Sequence, residues 1–218
     1  MKQDEFFDEQ IIDMINQAED KAAASVSNQF EKSEKAGDNV QASAEKQSLD
    51  TGIKILGRQV YFERRPMAME TITMMVPNDF VPMSPDIARK KYPSEQRPET
   101  ILTDETGTIN LMFQYMEGEE SNATIESFRN RIFGMMKRVN PGIKEQETGL
   151  VDAAGKQIAY VEFSNPVMDG KLYNLMFYLA VKGRPLMGSF NCRTKEMKYW
   201  RTAAFEMMRS IEPVESEE

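Results

Sequence analysis

The sequence predicts an α+β fold: an antiparallel β-sheet flanked by helices, preceded by an N-terminal amphipathic helix and an acidic arm. Three observations lead there. Seven segments after residue 57 are rich in β-branched, aromatic and methionine side chains and are bounded by turn signals. Three further windows, around 85–92, 124–139 and 195–211, carry helical starts, stops or apolar spacing. The acidity is confined to the ends: the chain has a net charge of −8, yet residues 51–211 hold 19 acids and 22 bases. Residues 1–50 are therefore read as the arm, 51–212 as the α+β domain and 213–218 as an acidic tail.

In chain order, residues 4–18 place Phe7, Ile11, Met14, Ile15 and Ala18 on one stripe at helical spacing. Asp4, Glu5 and Asp8 suit the positive end of such a helix. Lys21 to Asp50 is rich in Ala, Ser, Gln, Glu and Lys and lacks the large apolar residues a core requires. The helix at 4–18 docks a partner, folds back on its own domain or frays.

Strands are expected at Arg58–Arg64, Met69–Val76, Thr108–Met116, Ile143–Val151, Lys156–Ser164, Leu172–Val181 and Pro185–Cys192. The turn signals DETG (104–107), DAAG (152–155), MDG (168–170) and KGR (182–184) separate most of them. The connections among the last four strands are short, so those neighbours are antiparallel. Ser84-Pro85-Asp86 reads as an N-cap followed by proline at the first helical position, opening a helix that stops before Pro93. The second helix carries Ile125, Phe128, Ile132, Met135, Met136 and Val139 on one face and stops at Asn140-Pro141-Gly142. The third carries Met197, Trp200, Ala203, Ala204, Met207, Met208 and Ile211. The cations Arg89, Lys90 and Lys91 read as a solvated helix face.

Splitting each strand by parity gives two faces. One holds Ile72, Met74, Val76, Leu111, Phe113, Ala159, Val161, Phe163, Leu175, Phe177, Leu179, Leu186, Phe190 and Cys192, and is expected to be buried under a helix. The other mixes methionine, tyrosine and small polar groups: Thr73, Met75, Asn110, Met112, Gln114, Met116, Ile158, Tyr160, Glu162, Asn174, Met176, Tyr178, Met187, Ser189 and Asn191. Of 17 methionines, all but Met1 and Met14 follow residue 50. Methionine is polarizable and adaptable, and it recurs on surfaces that accept varied apolar partners. This face is read either as a groove for such a partner or as a second core filled by helix 124–139.

The chemistry of most site classes is missing. The chain has no histidine and one cysteine, which excludes imidazole catalysis, an intramolecular disulfide framework and most zinc sites. Cys192 shares parity with Leu186 and Phe190 and is expected in the core as a small hydrophobe. Glycine-rich phosphate loops and nucleophile elbows are absent, and no cofactor or metal is implied. Arg64 and Arg65 in the ERRP segment are read either as an anion site or as a solvated strand end. The acidic ends repel phosphate, so nucleic acid is not expected as a partner. No apolar run approaches the length of a membrane span. The first residues, MKQDEFFDEQ, do not read as a signal peptide, and a cytoplasmic location is expected.

METITMMVPNDFVPMS (69–84) resembles the opening of the PsbP-like fold: a strand, a V-P-x-x-F turn, then a short helix. TINLMFQYM (108–116) is similar to that fold's next long strand. The SFRNRIFGMMKRV helix, the meander KQIAYVEFSN, KLYNLMFYLAV and PLMGSFNC, and the closing helix with Trp200 follow in the order that fold uses. The resemblance covers about residues 55–212. It implies a PsbP-like α/β/α sandwich, an antiparallel sheet with helices on both sides. Members of the family, including DcrB-like proteins and the Eag-type chaperones that shield apolar segments of effectors, share partner binding and no transferable catalytic motif. The resemblance thus implies a binding module.

The function expected is non-enzymatic protein binding, as an adaptor or chaperone for an apolar or amphipathic segment of a partner. The contact residues expected are Met75, Met112, Met116, Tyr160, Met176, Tyr178 and Met187, with Phe7, Ile11, Met14 and Ile15 on the docking helix. A homodimer through the same face, a self-associating structural subunit and an enzyme using Cys192 are the alternatives.

Overall fold

The structure, a computed structural model, describes residues 48–92, 97–98, 100–167 and 170–214. The arm residues Phe7, Ile11, Met14 and Ile15 lie outside the described residues. A seven-stranded antiparallel sheet dominates, in the order β5 (Val81–Pro82), β6 (Thr100–Thr103), β7 (Asn110–Tyr115), β11 (Arg184–Arg193), β10 (Gly170–Val181), β9 (Lys156–Val167) and β8 (Lys144–Ala153). A hairpin, β1 (Ile53–Ile55) with β2 (Arg58–Val60), stands apart from it. So does a three-stranded sheet of β12 (Glu212–Pro213), β4 (Ile72–Pro77) and β3 (Phe62–Met67). The helices are α1 (Pro85–Lys91), α2 (Ile125–Val139) and α3 (Thr194–Arg209).

The long hairpins follow from their turns. Ala154-Gly155 and Lys182-Gly183 all take positive φ, between 48° and 79°. Two such residues in succession match the twist of the flanking strands. They lock Ala153 opposite Lys156 and Val181 opposite Arg184. Ser84 caps α1, its hydroxyl accepting from the Ile87 amide, with Pro85 at the first turn as the sequence indicates. The α3 start is held differently. The Glu196 carboxylate accepts from the Arg193 backbone amide.

α3 covers one face of the large sheet. Trp200, Ala203, Ala204, Phe205, Met207 and Met208 pack with Leu111, Phe113, Leu175, Phe177, Leu179, Leu186 and Phe190, and β4 adds Ile72, Met74 and Val76. Cys192 is fully buried in this core. α2 covers part of the opposite face, burying Ile125, Phe128, Ile132, Phe133 and Met136 against Ala159, Val161, Phe163, Met176, Tyr178 and Met187. α1 covers another part, where Ala88 and Tyr92 meet Met83, Ile101 and Met112.

Several expectations need correction. The face of β9 is reversed: Val161 pairs with Met176 and Ala159 with Tyr178, whereas Tyr160 pairs with Phe177. Ala159, Val161 and Phe163 thus lie on the methionine face, and Ile158, Tyr160 and Glu162 on the α3 face. β9 is sandwiched between α2 and α3 and is apolar at both parities, so composition carries no sign of its orientation. Second, β4 does not join the large sheet; it pairs with β3 and β12, which takes Met75 off the expected face. Third, the strand expected from Met69 starts at Ile72, because Ala68, Met69 and Glu70 adopt positive φ in the preceding turn. The expected strand Arg58–Arg64 is split at Tyr61 between the hairpin and the small sheet. β6 was not expected at all.

Candidate functional site

α1 and α2 pack in separate clusters on the methionine face. Between them the methionine face of the large sheet forms the floor of a cleft of about 1080 Å³. Met83, Ile87 and Tyr92 form the α1 wall, and Ile132, Met136 and Asn140 form the α2 wall. The strand register orders the floor into rows. One row runs Thr103, Asn110, Asn191 and Asn174 across β6, β7, β11 and β10. The next runs Ile101, Met112, Ser189, Met176 and Val161. A third runs Gln114, Met187, Tyr178 and Ala159 and passes beneath α2.

The polar row is internally bonded. Asn110 Nδ2 donates to Asn191 Oδ1 at 2.9 Å, Thr103 Oγ1 donates to Asn110 Oδ1 at 3.0 Å, and Asn174 Nδ2 donates to Asn165 Oδ1 at 2.7 Å. Such mutual pairing lets amides line an apolar space without an unmet desolvation cost. Lys91 turns inward from the end of α1, donating to Gly107 O at 2.7 Å and Asn110 Oδ1 at 3.1 Å. Burial is the main force lowering its pKa, to about 8; nearby Arg193 acts in the same direction and Asp104 opposes it. The cleft therefore grades from cationic, around Lys91, Lys171 and Arg193, through the amide row, to the methionines.

The expected contact residues divide. Met112, Met176 and Met187 line the cleft together. Met116 and Tyr178 are on the same face but lie in the core under α2, where Tyr178 meets the Phe128 ring edge-on at 5.8 Å. Tyr160 lies on the opposite face, against Phe205 of α3 at 5.2 Å, its hydroxyl donating to Glu147 Oε1 at 2.7 Å. Met75 is in the small sheet. A cleft and a second core thus lie side by side on one face. Asn110, Asn174, Asn191 and Ser189 were assigned to that face but not to the site. Lys91 was missed. Its signal, a cation closing a seven-residue helix, does not differ from that of its neighbours Arg89 and Lys90.

Elsewhere the charges are engaged. Arg201 of α3 grips the buried Glu162, with Nε to Oε1 at 2.6 Å and Nη2 to Oε2 at 2.8 Å, and reaches Glu147 at 2.7 Å. Arg64 donates to Ser210 O and Thr73 and pairs with Glu212, while Arg65 donates to Phe80 O and Asn78 O. The ERRP arginines thus tie β3 to its surroundings. Burial pushes the Cys192 thiol up, away from thiolate. Among the described residues, no carboxylates and thiols converge as a metal ion would need, and no helix is long and apolar enough to cross a membrane.

No family model and no curated protein matches the sequence. Among solved structures the chain is similar to cyanobacterial PsbP (CyanoP) from Synechocystis sp. PCC 6803, with a TM-score of 0.53 and 13% identity over 80% of this chain and 99% of that one. Looser likenesses are to LpqN, involved in cell envelope biogenesis of Mycobacterium tuberculosis (TM-score 0.46, 12% identity, 69% of this chain and 90% of that one), and to the apo immunity protein TplEi of the T6SS from Pseudomonas aeruginosa (TM-score 0.39, 10% identity, 76% and 80%). An antiparallel sheet with α3 on one face and α1 and α2 on the other, matched along nearly all of CyanoP, gives this chain a PsbP-like fold.

Proposed function

We propose that the chain is a non-enzymatic binding protein that receives an apolar or amphipathic segment of a partner protein in the cleft between α1 and α2, as an adaptor or chaperone does. One observation carries this reading: a single continuous space of about 1080 Å³ whose floor is methionine on one side and a self-satisfied amide row on the other. Pockets for small ligands run to about 300–1,000 Å³. This space lies just above that range, and it suits side chains projecting from a helix about 10–12 Å wide. Unbranched methionine repacks around different side chains at small cost, which favours sequence-tolerant capture over recognition of one shape. The alternative built on Cys192 lacks a reactive thiol, because that sulfur is buried in the opposite core.

The test uses protein labelled with 13C at the methionine methyls and a fluorescein-tagged 16-residue helical peptide of Leu, Ala and Glu. Saturable binding should shift the Met112, Met176 and Met187 signals and leave Met207 and Met208 unmoved. Shifts confined to Met207 and Met208, or no saturable binding, would refute the reading.

A further inference from the structure

The cleft's surroundings and the N-terminal arm have complementary patterns. Five cations border the cleft, Lys90, Lys91, Lys171, Arg193 and Lys195, against two acids, Asp104 and Glu105. Its floor is apolar at Met112, Met176 and Met187. Residues 4–18 hold five acids and no base, and their apolar positions 7, 11, 14, 15 and 18 make one stripe at helical spacing. An acidic segment with one apolar face is the partner that a cationic border and an apolar floor select.

We infer that the cleft's occupant in the partner-free protein is the chain's own segment 4–18, which a partner must displace. The inference rests on the reading of the cleft as a receptor for apolar segments. The tether permits it. Residues 19–47 join that segment to the described domain at Ser48. Such a connection spans about 100 Å when extended and about 30 Å as a random coil. A domain of this length has a radius of gyration of about 15 Å, so the far face of the sheet is within reach. A tethered segment also competes at an effective concentration of order millimolar. A dilute partner of equal intrinsic affinity loses to it. Self-occupancy keeps the cleft filled until a tighter binder arrives.

The experiment keeps the full chain. A nitroxide is attached at Asn16→Cys, since buried Cys192 is shielded from the label, and the methionine methyls are observed. Expected is paramagnetic broadening of Met112, Met176 and Met187 but not of Met207 and Met208. The double substitution Phe7→Asp with Ile11→Asp, which alters no residue of the described domain, should abolish the broadening. It should also tighten binding of the Leu/Ala/Glu peptide about tenfold, the factor expected if the arm holds about nine-tenths of the clefts. Absent broadening, equal broadening of both methionine sets, or a pattern unchanged by the double substitution overturns the inference. Peptide bound equally by both chains overturns it too and leaves the receptor reading standing. Broadening confined to the cleft, with no peptide bound by either chain, overturns the receptor reading and with it the claim that a partner displaces the arm.

Discussion

Met176→Ala separates an open cleft from a sealed core by the size of its effect. Met176 is 5% exposed and touches both environments: it packs with the α2 core and lines the cleft. Truncation loses the transfer free energy of the atoms beyond Cβ, about 2 kcal/mol at about 0.8 kcal/mol per methylene-sized group. In a sealed core a further cavity term of about 24 cal/mol per Å³ is added. Here the vacated space merges with a cleft that already exists, so that term is small and the expected cost is about 2 kcal/mol. Phe128 is the internal control. It is 1% exposed, on α2 against the Tyr178 ring, and Phe128→Ala bears both terms, about 3–5 kcal/mol. Urea unfolding monitored by the lone tryptophan, Trp200, measures both, with the m-value checked for constancy. Met176→Ala should also weaken the Leu/Ala/Glu peptide about tenfold, the equivalent of about 1.4 kcal/mol. If Met176→Ala costs as much as Phe128→Ala and peptide affinity does not change, the cleft is not the receptor.

Arg201→Met strands the buried Glu162 carboxylate without its bidentate partner and should cost about 3–5 kcal/mol. The double substitution with Glu162→Gln should recover part of that loss, as read by the same urea midpoints. Lys91 should react with formaldehyde and cyanoborohydride along a pH profile whose midpoint lies near 8, followed by peptide mass spectrometry. Between that pKa and the ordinary lysine value of 10.5, the unfolded chain holds a proton that the folded chain lacks. Native stability therefore rises with pH across that window, by up to about 3 kcal/mol, and Lys91→Met removes the rise. A thiol reagent should modify Cys192 only as fast as the protein unfolds, and rapid labelling of the native protein would contradict its burial.

The legible parts of the fold are those written locally. The repeat at Ile125, Phe128, Ile132 and Met136 marks α2 because residues three and four apart share a helix face. Ser84-Pro85 marks the start of α1 through capping, and the turn runs DAAG and KGR mark the hairpins. β6 went unread because its four residues, TILT, are too few to show a period amid proline-rich neighbours. The candidate site was half legible. Met112, Met176 and Met187 were placed on one face by parity, but the same method put Tyr160 beside them.

The sequence by itself determined the three helices, the long antiparallel hairpins, most of the methionine-bearing face and the confinement of net negative charge to the ends. Each of these depends on residues close together in the chain. Only the tertiary structure decided which face of β9 joins the methionines, because a strand buried on both sides shows no alternation. It alone decided that α1 and α2 pack over separate parts of that face, with a cleft between. It alone brought Lys91 to Asn110, and a cleft is a gap between elements whose separation no local pattern encodes.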